Sequence, residues 1–249
     1  MFTDTHCHIY QEYYEKIDNI IKNAQENKVT RMINNGCDSK SNMEVLKLTE
    51  EHENMFGTLG IHPEKVEEYK EEDLKWIEEN LYHKKIIAIG EIGLDYHYTK
   101  ENKEEQKRLL EKQLLIAQNH NLPVIIHSRE ATEDTINILK KYKIKGVIHS
   151  FSGSLETAKI YIKMGYLLGI NGVITFKNSK LKEVIKEIPL ENIVLETDSP
   201  YLTPEPYRGK RNEPARILDI ANFISELKEV KIEELARITN DNIRRIFDI

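Results

Sequence analysis

This chain of 249 residues has little cysteine, no long apolar run and no excess of basic charge. Its two cysteines, Cys7 and Cys37, could pair, but a chain without an export signal favours free thiols. No apolar run approaches the ~20 residues that span a bilayer. The start, MFTDTHCHIY, has neither the basic nor the apolar region of a signal peptide. These absences predict a protein of the cytoplasm, or of the nucleus in a eukaryote, with no membrane partner.

The charge balance argues against one common type of nucleic-acid binder. Lys and Arg total 36 against 42 Asp and Glu, so the formal net charge is −6. Proteins that bind long duplex DNA without sequence preference usually present a basic surface, and this chain lacks the charge for that. A small basic patch beside bound cations would still be enough to hold a few phosphates.

Short apolar runs rich in β-branched residues alternate with charged segments of helical period, and this pattern predicts alternating strands and helices. Residues 101–121 and 130–142 are examples of the helical segments, and residues from Glu213 onward predict two more helices. The predicted strands are MFTDTH, VTRMINNG, MFGTLGIH, IIAIGEIG, LPVIIHS, KGVIHSF, YLLGING and NIVLETD.

The carboxyl ends of these eight runs lie 22 to 36 residues apart, which is the size of one strand–helix unit. Such alternation predicts a parallel sheet. Eight units predict an α/β protein that folds as a (β/α)₈ TIM barrel with C-terminal helices, a single domain over residues 1–249. An open doubly wound sheet is the alternative. In an open sheet in chain order, strands one and eight would lie about 34 Å apart at ~4.8 Å per strand, so cooperation between their ends requires closure.

Ionisable residues at the ends of the predicted strands indicate a metal centre. One such histidine is more often structural than a ligand, but in a barrel all the strand carboxyl ends open onto one face. Two carboxylates brought together there would repel each other unless cations were present. The predicted metal ligands are His6, His8, Glu91, His127, His149 and Asp198.

Six ligands are too many for one tetrahedral ion with an open position, and they suit two divalent ions. One ion is assigned to His6, His8, Asp198 and Glu91, and the other to His127, His149 and Glu91. Glu91 is the expected bridge, because a carboxylate has two oxygens. Two ions ~3.5–4 Å apart can activate a water for displacement at phosphorus, and Asp198 is expected to orient that water and take its proton. The nitrogen and oxygen ligands suit Mg²⁺ or Mn²⁺ in activity, with Zn²⁺ as a further option.

A basic loop after the last strand is predicted to hold the substrate. Arg208, Lys210 and Arg211 lie in YRGKRNEP, the concentrated basic stretch near a strand end, and would neutralise phosphates. Tyr201 or Tyr207 offers a face on which a base would stack. A solvated loop with no binding role is the alternative.

Three other residues follow predicted strands and are expected to contact the substrate. His62 ends the third strand and would face the site, in direct contact or behind the ligands. Arg129 follows His127 and would reach a phosphate, with a salt bridge at a helix start as the alternative. Ser152 would donate a hydrogen bond to phosphate, although Ser-Gly sequences also simply form turns.

The ordered motifs TDTHCHI, LGIHPE, IGEIGLDY, PVIIHSREA, IHSFSG, LETDSPYLTP and RGKRNEP resemble the TatD family of metal-dependent deoxyribonucleases, within the amidohydrolase-like barrels. The resemblance covers residues 2–216, and NDNIRRIF near the C-terminus fits as well. It implies a (β/α)₈ barrel that hydrolyses DNA, typically as a 3′→5′ exonuclease on single strands. It also implies metal ligation by the same six residues, with Glu91 where related amidohydrolases often carry a carboxylated lysine.

DNA, as single strands or 3′ ends, is therefore the expected substrate, and the chain is expected to act as a monomer. A deacylase of the D-aminoacyl-tRNA type, or an amidohydrolase of small molecules, is the nearest alternative, because the metals alone do not distinguish phosphorus from carbon. A non-catalytic nucleic-acid-binding or scaffold protein is a further alternative, but the complete ligand set argues against it.

Overall fold

The computed structural model describes residues 1–98 and 101–249, in which the chain divides into two compact units. One unit comprises Met1–Asn34 and Ser150–Ile249, and the other is Asn35–His149. Both consist of strands that alternate with helices. The strands are β1 (Phe2–Cys7), β2 (Val29–Asn35), β3 (Met55–Leu59), β4 (Ile86–Asp95), β5 (Val124–Arg129), β6 (Gly146–Ile148), β7 (Tyr166–Ile170) and β8 (Ile193–Leu195).

The eight strands belong to one sheet whose order follows the chain, from β1 to β8. In the Asn35–His149 unit, β4 pairs in parallel with both β3 and β5, and β5 with β6. In the other unit, β7 pairs with β8 and β1 with β2, again in parallel. Cys7 also forms a parallel bridge to Ser199, just after β8. A contact of β1 with the β8 end excludes the open sheet, and the predicted (β/α)₈ fold class is confirmed.

The strands are buried along most of their length, as expected of parallel strands whose two faces are both covered. All ten residues of β4 are buried, and so are all those of β1, β7 and β8. This explains why the strands appear in the sequence as continuous apolar runs such as Ile86–Ile89, since alternation requires one solvated face. Each of the eight predicted runs overlaps one observed strand.

Seven α-helices alternate with the strands along the described residues, and two more follow β8. Their bounds are α1 (Ile17–Glu26), α2 (Ser39–Glu51), α3 (Glu71–Asn80), α4 (Lys103–Asn119), α5 (Thr132–Leu139), α6 (Leu155–Lys163), α7 (Leu181–Glu187), α8 (Ile217–Lys228) and α9 (Ile232–Phe247). Helix α4 confirms the prediction for residues 101–121. Helix α5 is shorter than predicted, because Glu130 has a left-handed backbone with φ +54° and Ala131 is not helical.

The two C-terminal helices are confirmed, and asparagines in the NDNIRRIF motif attach α9 to the strands. The Asn242 side chain donates hydrogen bonds to the carbonyl oxygens of Leu190 and Ile193, at 2.7 and 2.8 Å. Asn240 donates to the Met1 carbonyl at 2.8 Å and accepts from the Thr3 hydroxyl at 2.9 Å. These bonds hold the starts of β1 and β8, the two strands that meet at Cys7 and Ser199.

Within residues 1–98 and 101–249, no helix has both the length and the apolar composition that crossing a bilayer requires.

Candidate metal centre

The two histidines after the start of β1 face the same way and meet Asp198. His6 Nε2 lies 3.1 Å from His8 Nε2, and Asp198 Oδ1 lies 3.8 Å from the first nitrogen and 3.5 Å from the second. Cys7, between the histidines, points away and donates to the Ile33 carbonyl at 3.3 Å, as strand alternation predicts. Three of the predicted ligands therefore converge at the end of β1.

Backbone hydrogen bonds between the ends of β1 and β8 bring Asp198 to this position. The Asp198 N–H donates to the His6 carbonyl at 2.9 Å, and the His8 N–H donates to the Ser199 carbonyl at 2.7 Å. Asp198 has φ +56°, a left-handed conformation that aspartate tolerates better than most residues. The Tyr10 hydroxyl lies 3.2 Å from His8 Nδ1, so that ring nitrogen is engaged and Nε2 faces Asp198.

A buried aspartate supports the same junction from behind. Asp4 accepts hydrogen bonds from the Thr197 N–H at 2.9 Å, the Thr197 hydroxyl at 2.6 Å and the His6 N–H at 3.2 Å. Burial raises the pKa of Asp4 to about 8, in spite of these hydrogen bonds. Asp4 thus links β1 to the segment that carries Asp198, and it has no access to solvent.

The Asn35–His149 unit contains a second group, centred on the buried carboxylate of Glu91. Its Oε1 lies 2.8 Å from His127 Nδ1, 3.5 Å from His62 Nε2 and 3.8 Å from His149 Nε2. Cys37 Sγ lies 3.8 Å from Oε2. The predicted ligands His127 and His149 therefore both approach Glu91. His62, predicted to contact substrate, lies closer to that carboxylate than His149 does.

His127 lies between two carboxylates, one of which the sequence reasoning missed. Its Nδ1 faces Glu91, and its Nε2 lies 2.9 Å from Asp95 Oδ2. Burial works to lower the pKa of His127, but the hydrogen bonds to Asp95 and Glu91 outweigh it and raise that pKa to about 9. Burial likewise works to raise the pKa of Asp95, and hydrogen bonds from His127 and the His97 N–H reverse the effect. Asp95 therefore fixes the orientation of the His127 ring.

Helix α4 holds this second group from outside through two glutamines two turns apart. The Gln106 amide exchanges hydrogen bonds with the Asp95 backbone, both at 2.8 Å. The Gln113 amide does the same with the Ile61 backbone, next to His62, at 2.7 and 3.0 Å. Gly93 of β4 lies directly against the His127 backbone, where a Cβ would collide with the His127 carbonyl. The two glutamine amides thus hold the backbone at Asp95 and Ile61, and the close approach of β4 to β5 requires glycine at position 93.

The chemistry of both donor sets fits divalent cations. An ion bound at ~2.0–2.2 Å from each ligand requires donor atoms no more than about 4.4 Å apart. The nitrogen–nitrogen and nitrogen–oxygen distances of 3.1, 3.5 and 3.8 Å around His8 satisfy this. In the His62, Glu91 and His127 group, the distances from Glu91 Oε1 to His127 Nδ1 and to His62 Nε2, 2.8 and 3.5 Å, satisfy it too. Each group offers two imidazoles and one carboxylate, a set found in zinc and manganese sites.

A family model described as TatD-related DNase matches residues 3–248. The chain belongs to this family. A similar relative is the uncharacterized metal-dependent hydrolase YabD of Bacillus subtilis, 43% identical with both chains covered in full. The human deoxyribonuclease TATDN3 is 32% identical over 98% of this chain and 93% of its own. The crystal structure of the TatD homologue YjjV of Escherichia coli has a TM-score of 0.93 and 30% identity, and covers 100% of this chain and 98% of that one.

In this member of the TatD family of metal-dependent hydrolases, a tyrosine cluster adjoins the β1 ligands. The Tyr201 ring lies 6.3 Å from the His8 ring, and its hydroxyl is 2.8 Å from that of Tyr13. Tyr201 is 49% exposed. Tyr207, the other predicted stacking residue, has the Arg216 guanidinium 3.7 Å from its ring centroid. A stacking role for either tyrosine stays a prediction.

The basic residues predicted to hold substrate differ in their surroundings. The Arg208 guanidinium lies 3.9 Å from the Phe176 ring centroid, and Lys210 Nζ lies 5.9 Å from that of Tyr207. Arg211 donates a hydrogen bond to the Tyr13 carbonyl, so it also holds the tyrosine cluster in place. All three side chains are exposed.

Arg129, the last residue of β5, and Ser152, beyond the end of β6, are both exposed. The Arg129 guanidinium lies 5.1 Å from the Tyr98 ring centroid. Ser152 lies in the loop between β6 and α6. Their predicted contacts with substrate stay predictions.

Asp4 and Asp95 had a detectable signal in the sequence. Asp4 precedes His6 by two residues, and Asp95 follows Glu91 by four along β4. Period-two spacing places each on the same side of its strand as the ligand, and a carboxylate there is suited to orient an imidazole. His62 had a signal in the sequence as well, because it follows a predicted strand just as the predicted ligand histidines do.

We expect Asp95→Asn to weaken metal binding ~10–100-fold, as loss of a carboxylate that orients a ligating imidazole commonly does. Turnover should recover when metal is raised to saturation, because Glu91 and His127 remain. Metal titration by calorimetry and initial rates at several metal concentrations would measure both effects.

Glu78→Gln is the matched control for Asp95→Asn. It removes the carboxylate of another carboxylate–imidazole pair, in which Glu78 of α3 lies 2.9 Å from His120, the residue after α4. Equal metal affinity in Asp95→Asn and the wild type would show that Asp95 does not support a ligand.

Proposed function

We propose that this protein hydrolyses phosphodiester bonds of DNA as a 3′→5′ exonuclease on single strands, with one divalent ion in each ligand group. The observation that carries the proposal is the loop after β8. Asp198, three residues after β8, lies beside His6 and His8. The same loop continues through Tyr201 to the exposed Arg208 and Lys210. A metal-ligand carboxylate followed by a stacking ring and cations suits a phosphodiester better than a small neutral amide. The name of human TATDN3, a deoxyribonuclease, agrees with it.

The bound ions would supply two effects, a lower pKa for the attacking water and neutralisation of charge on the phosphoryl oxygens. The residues of the chain would do the rest. His6, His8 and Asp198 would hold one ion, and Glu91, His127 and His62 or His149 the other. The second Asp198 oxygen would orient the water and accept its proton. Tyr201 would stack on the base next to the scissile bond, while Arg208 and Lys210 position phosphates.

One assay tests the activity itself. Metal-stripped protein would receive Mg²⁺, Mn²⁺ or Zn²⁺ and then end-labelled single-stranded or duplex oligonucleotides with free or blocked 3′ ends. The expected result is a ladder of products that shorten from the free 3′ end of single strands, with no cleavage before metal is added. A blocked 3′ end should stop the reaction.

The same assay separates the alternatives. Internal cleavage of the 3′-blocked strand would indicate an endonuclease. No cleavage of any strand, together with metal-dependent release of an amino acid from D-aminoacyl-tRNA, would overturn the proposal in favour of a deacylase. Strand binding without any hydrolysis would indicate a non-catalytic binding protein.

A further inference from the structure

The loops that follow β7 and β8 form one surface. Arg208 from the β8 loop stacks at 3.9 Å on Phe176 from the β7 loop. The Glu205 N–H donates to the Thr175 hydroxyl at 2.9 Å. Gly172, at the start of the β7 loop, lies so close to the Leu202 carbonyl that a Cβ would collide with it. Any ligand of the β8 loop therefore meets the β7 loop as well.

This joint surface carries exposed cations without carboxylate partners. Lys177 and Lys180 extend from the β7 loop, and Arg208 and Lys210 from the β8 loop. Within residues 1–98 and 101–249, none of these four forms an ion pair with a carboxylate. Glu205 is the acidic residue exposed among them. We call these four residues the β7–β8 basic surface.

Elsewhere on the chain, many exposed cations are neutralised locally. Arg108 lies 2.7 Å from Glu105, Lys141 lies 2.7 Å from Glu111, and Arg237 lies 3.2 Å from Asp241. With a formal net charge of −6, the average surface repels a polyanion. A cluster of cations without acidic partners is therefore the place where a polyanion would bind.

The stack of Arg208 on Phe176 gives this surface a fixed element. A guanidinium held over an aromatic ring loses less freedom when it binds than an unrestrained one, and its planar fork of N–H groups suits phosphate oxygens. Lys177 is the next residue after Phe176, so a second cation adjoins the stack. Flexible lysines beside one oriented arginine suit a chain of phosphates better than a single small anion.

We infer that the β7–β8 basic surface binds the phosphate backbone of a single nucleic-acid strand beyond the nucleotides that reach the metal ligands. The inference rests on the proposed function and adds to it the β7-loop lysines, which the sequence did not single out. The β8 loop connects the two regions, since it runs from Asp198 past Tyr201 to Arg208 and Lys210. The protein should therefore bind longer strands more tightly than short ones, and this difference in affinity should decrease as the salt concentration rises.

The test is a double charge reversal, Lys177→Glu with Lys180→Glu. Binding would be measured by fluorescence anisotropy of metal-stripped protein with labelled oligonucleotides of about 4 and about 20 nucleotides, near and beyond the ~4–16 nucleotides of typical single-strand sites. We expect affinity for the long strand to fall about tenfold or more. The slope of log affinity against log salt should decrease by ~1.4, which is ~0.7 for each of two phosphate contacts. Affinity for the short strand and its metal-dependent cleavage should not change.

Lys143→Glu with Lys145→Glu is the matched control. It makes the same change of charge on two exposed lysines before β6, at the amino end of that strand. If both double variants weaken long-strand binding equally, net charge alone is responsible and the inference is wrong. Circular dichroism would confirm folding, and Lys177→Gln with Lys180→Gln would replace the reversal if it did not fold.

The two proposals fail in different ways. If the wild type cleaves strands but Lys177→Glu with Lys180→Glu leaves the length and salt dependence unchanged, the surface is wrong and the activity stands. If the wild type neither cleaves nor binds strands of either length, the proposed function fails first and the surface fails with it.

Discussion

Glu91→Gln should lose turnover on the order of 10³-fold or more, equivalent to about 4 kcal/mol of activation free energy. Glutamine has the size of glutamate but no negative charge, and three imidazole nitrogens lie within 3.8 Å of Glu91 Oε1. Removing the charge takes away the group that balances the cation there. Metal content, measured by mass spectrometry of the dialysed protein, should decrease by at least one ion per chain, and oligonucleotide turnover would be measured beside it.

The control for Glu91→Gln is Glu111→Gln on α4, which breaks the surface ion pair of Glu111 with Lys141. This variant should keep the metal content and the turnover of the wild type. Folding is followed by thermal unfolding. A folded Glu91→Gln protein with full turnover would remove Glu91 from the metal centre. The sharing of Glu91 between two ions stays a prediction, and a loss of two ions instead of one would support it.

Asp198→Asn is the second large expected effect, a loss of about 10²–10⁴-fold in turnover, the usual contribution of a general base. Asparagine can still coordinate through its carbonyl oxygen and keeps the backbone bond from Asp198 N–H to His6, so the junction of β1 and β8 should stay intact. What is lost is the anionic oxygen that would accept the proton. Single-turnover rates at saturating metal and substrate would measure this step without the binding steps.

Metal affinity distinguishes the two roles assigned to Asp198. A loss of turnover that persists at saturating metal indicates proton transfer, whereas a loss rescued by added metal indicates ligation alone. The control is Asp219→Asn, which changes a half-buried aspartate of α8 that pairs with Arg216. Its turnover and metal affinity should equal those of the wild type. Full activity of Asp198→Asn at low metal would contradict both roles.

The fold could be predicted from the sequence because its signals are local. Strands buried on both faces appear as apolar runs, and one strand–helix unit follows another at similar spacing. Errors were confined to the bounds of elements such as α5, which begins only at Thr132 because Glu130 has a left-handed backbone and Ala131 is not helical. A single residue's backbone conformation depends on its neighbours in space, which a periodic pattern does not reveal.

The candidate ligands could be predicted as a set but not in their arrangement. His6, His8 and Asp198 come together as expected. Around Glu91, the sequence pointed to His127 and His149, while the structure places His62 closer than His149. Position at a strand end is a local property, but the distance between two strand ends depends on how those strands are staggered in the sheet.

By itself, the sequence determined the alternation of eight strands with helices, the residues at their carboxyl ends and the low overall charge, because each follows from residue type and spacing. Only the tertiary structure decided that Asp95 orients His127, that Gln106 and Gln113 hold the strand ends, and that Arg208 stacks on Phe176. These pairs are between 11 and 52 residues apart in the chain. Side chains so far apart interact through packing, which no pattern within one segment encodes.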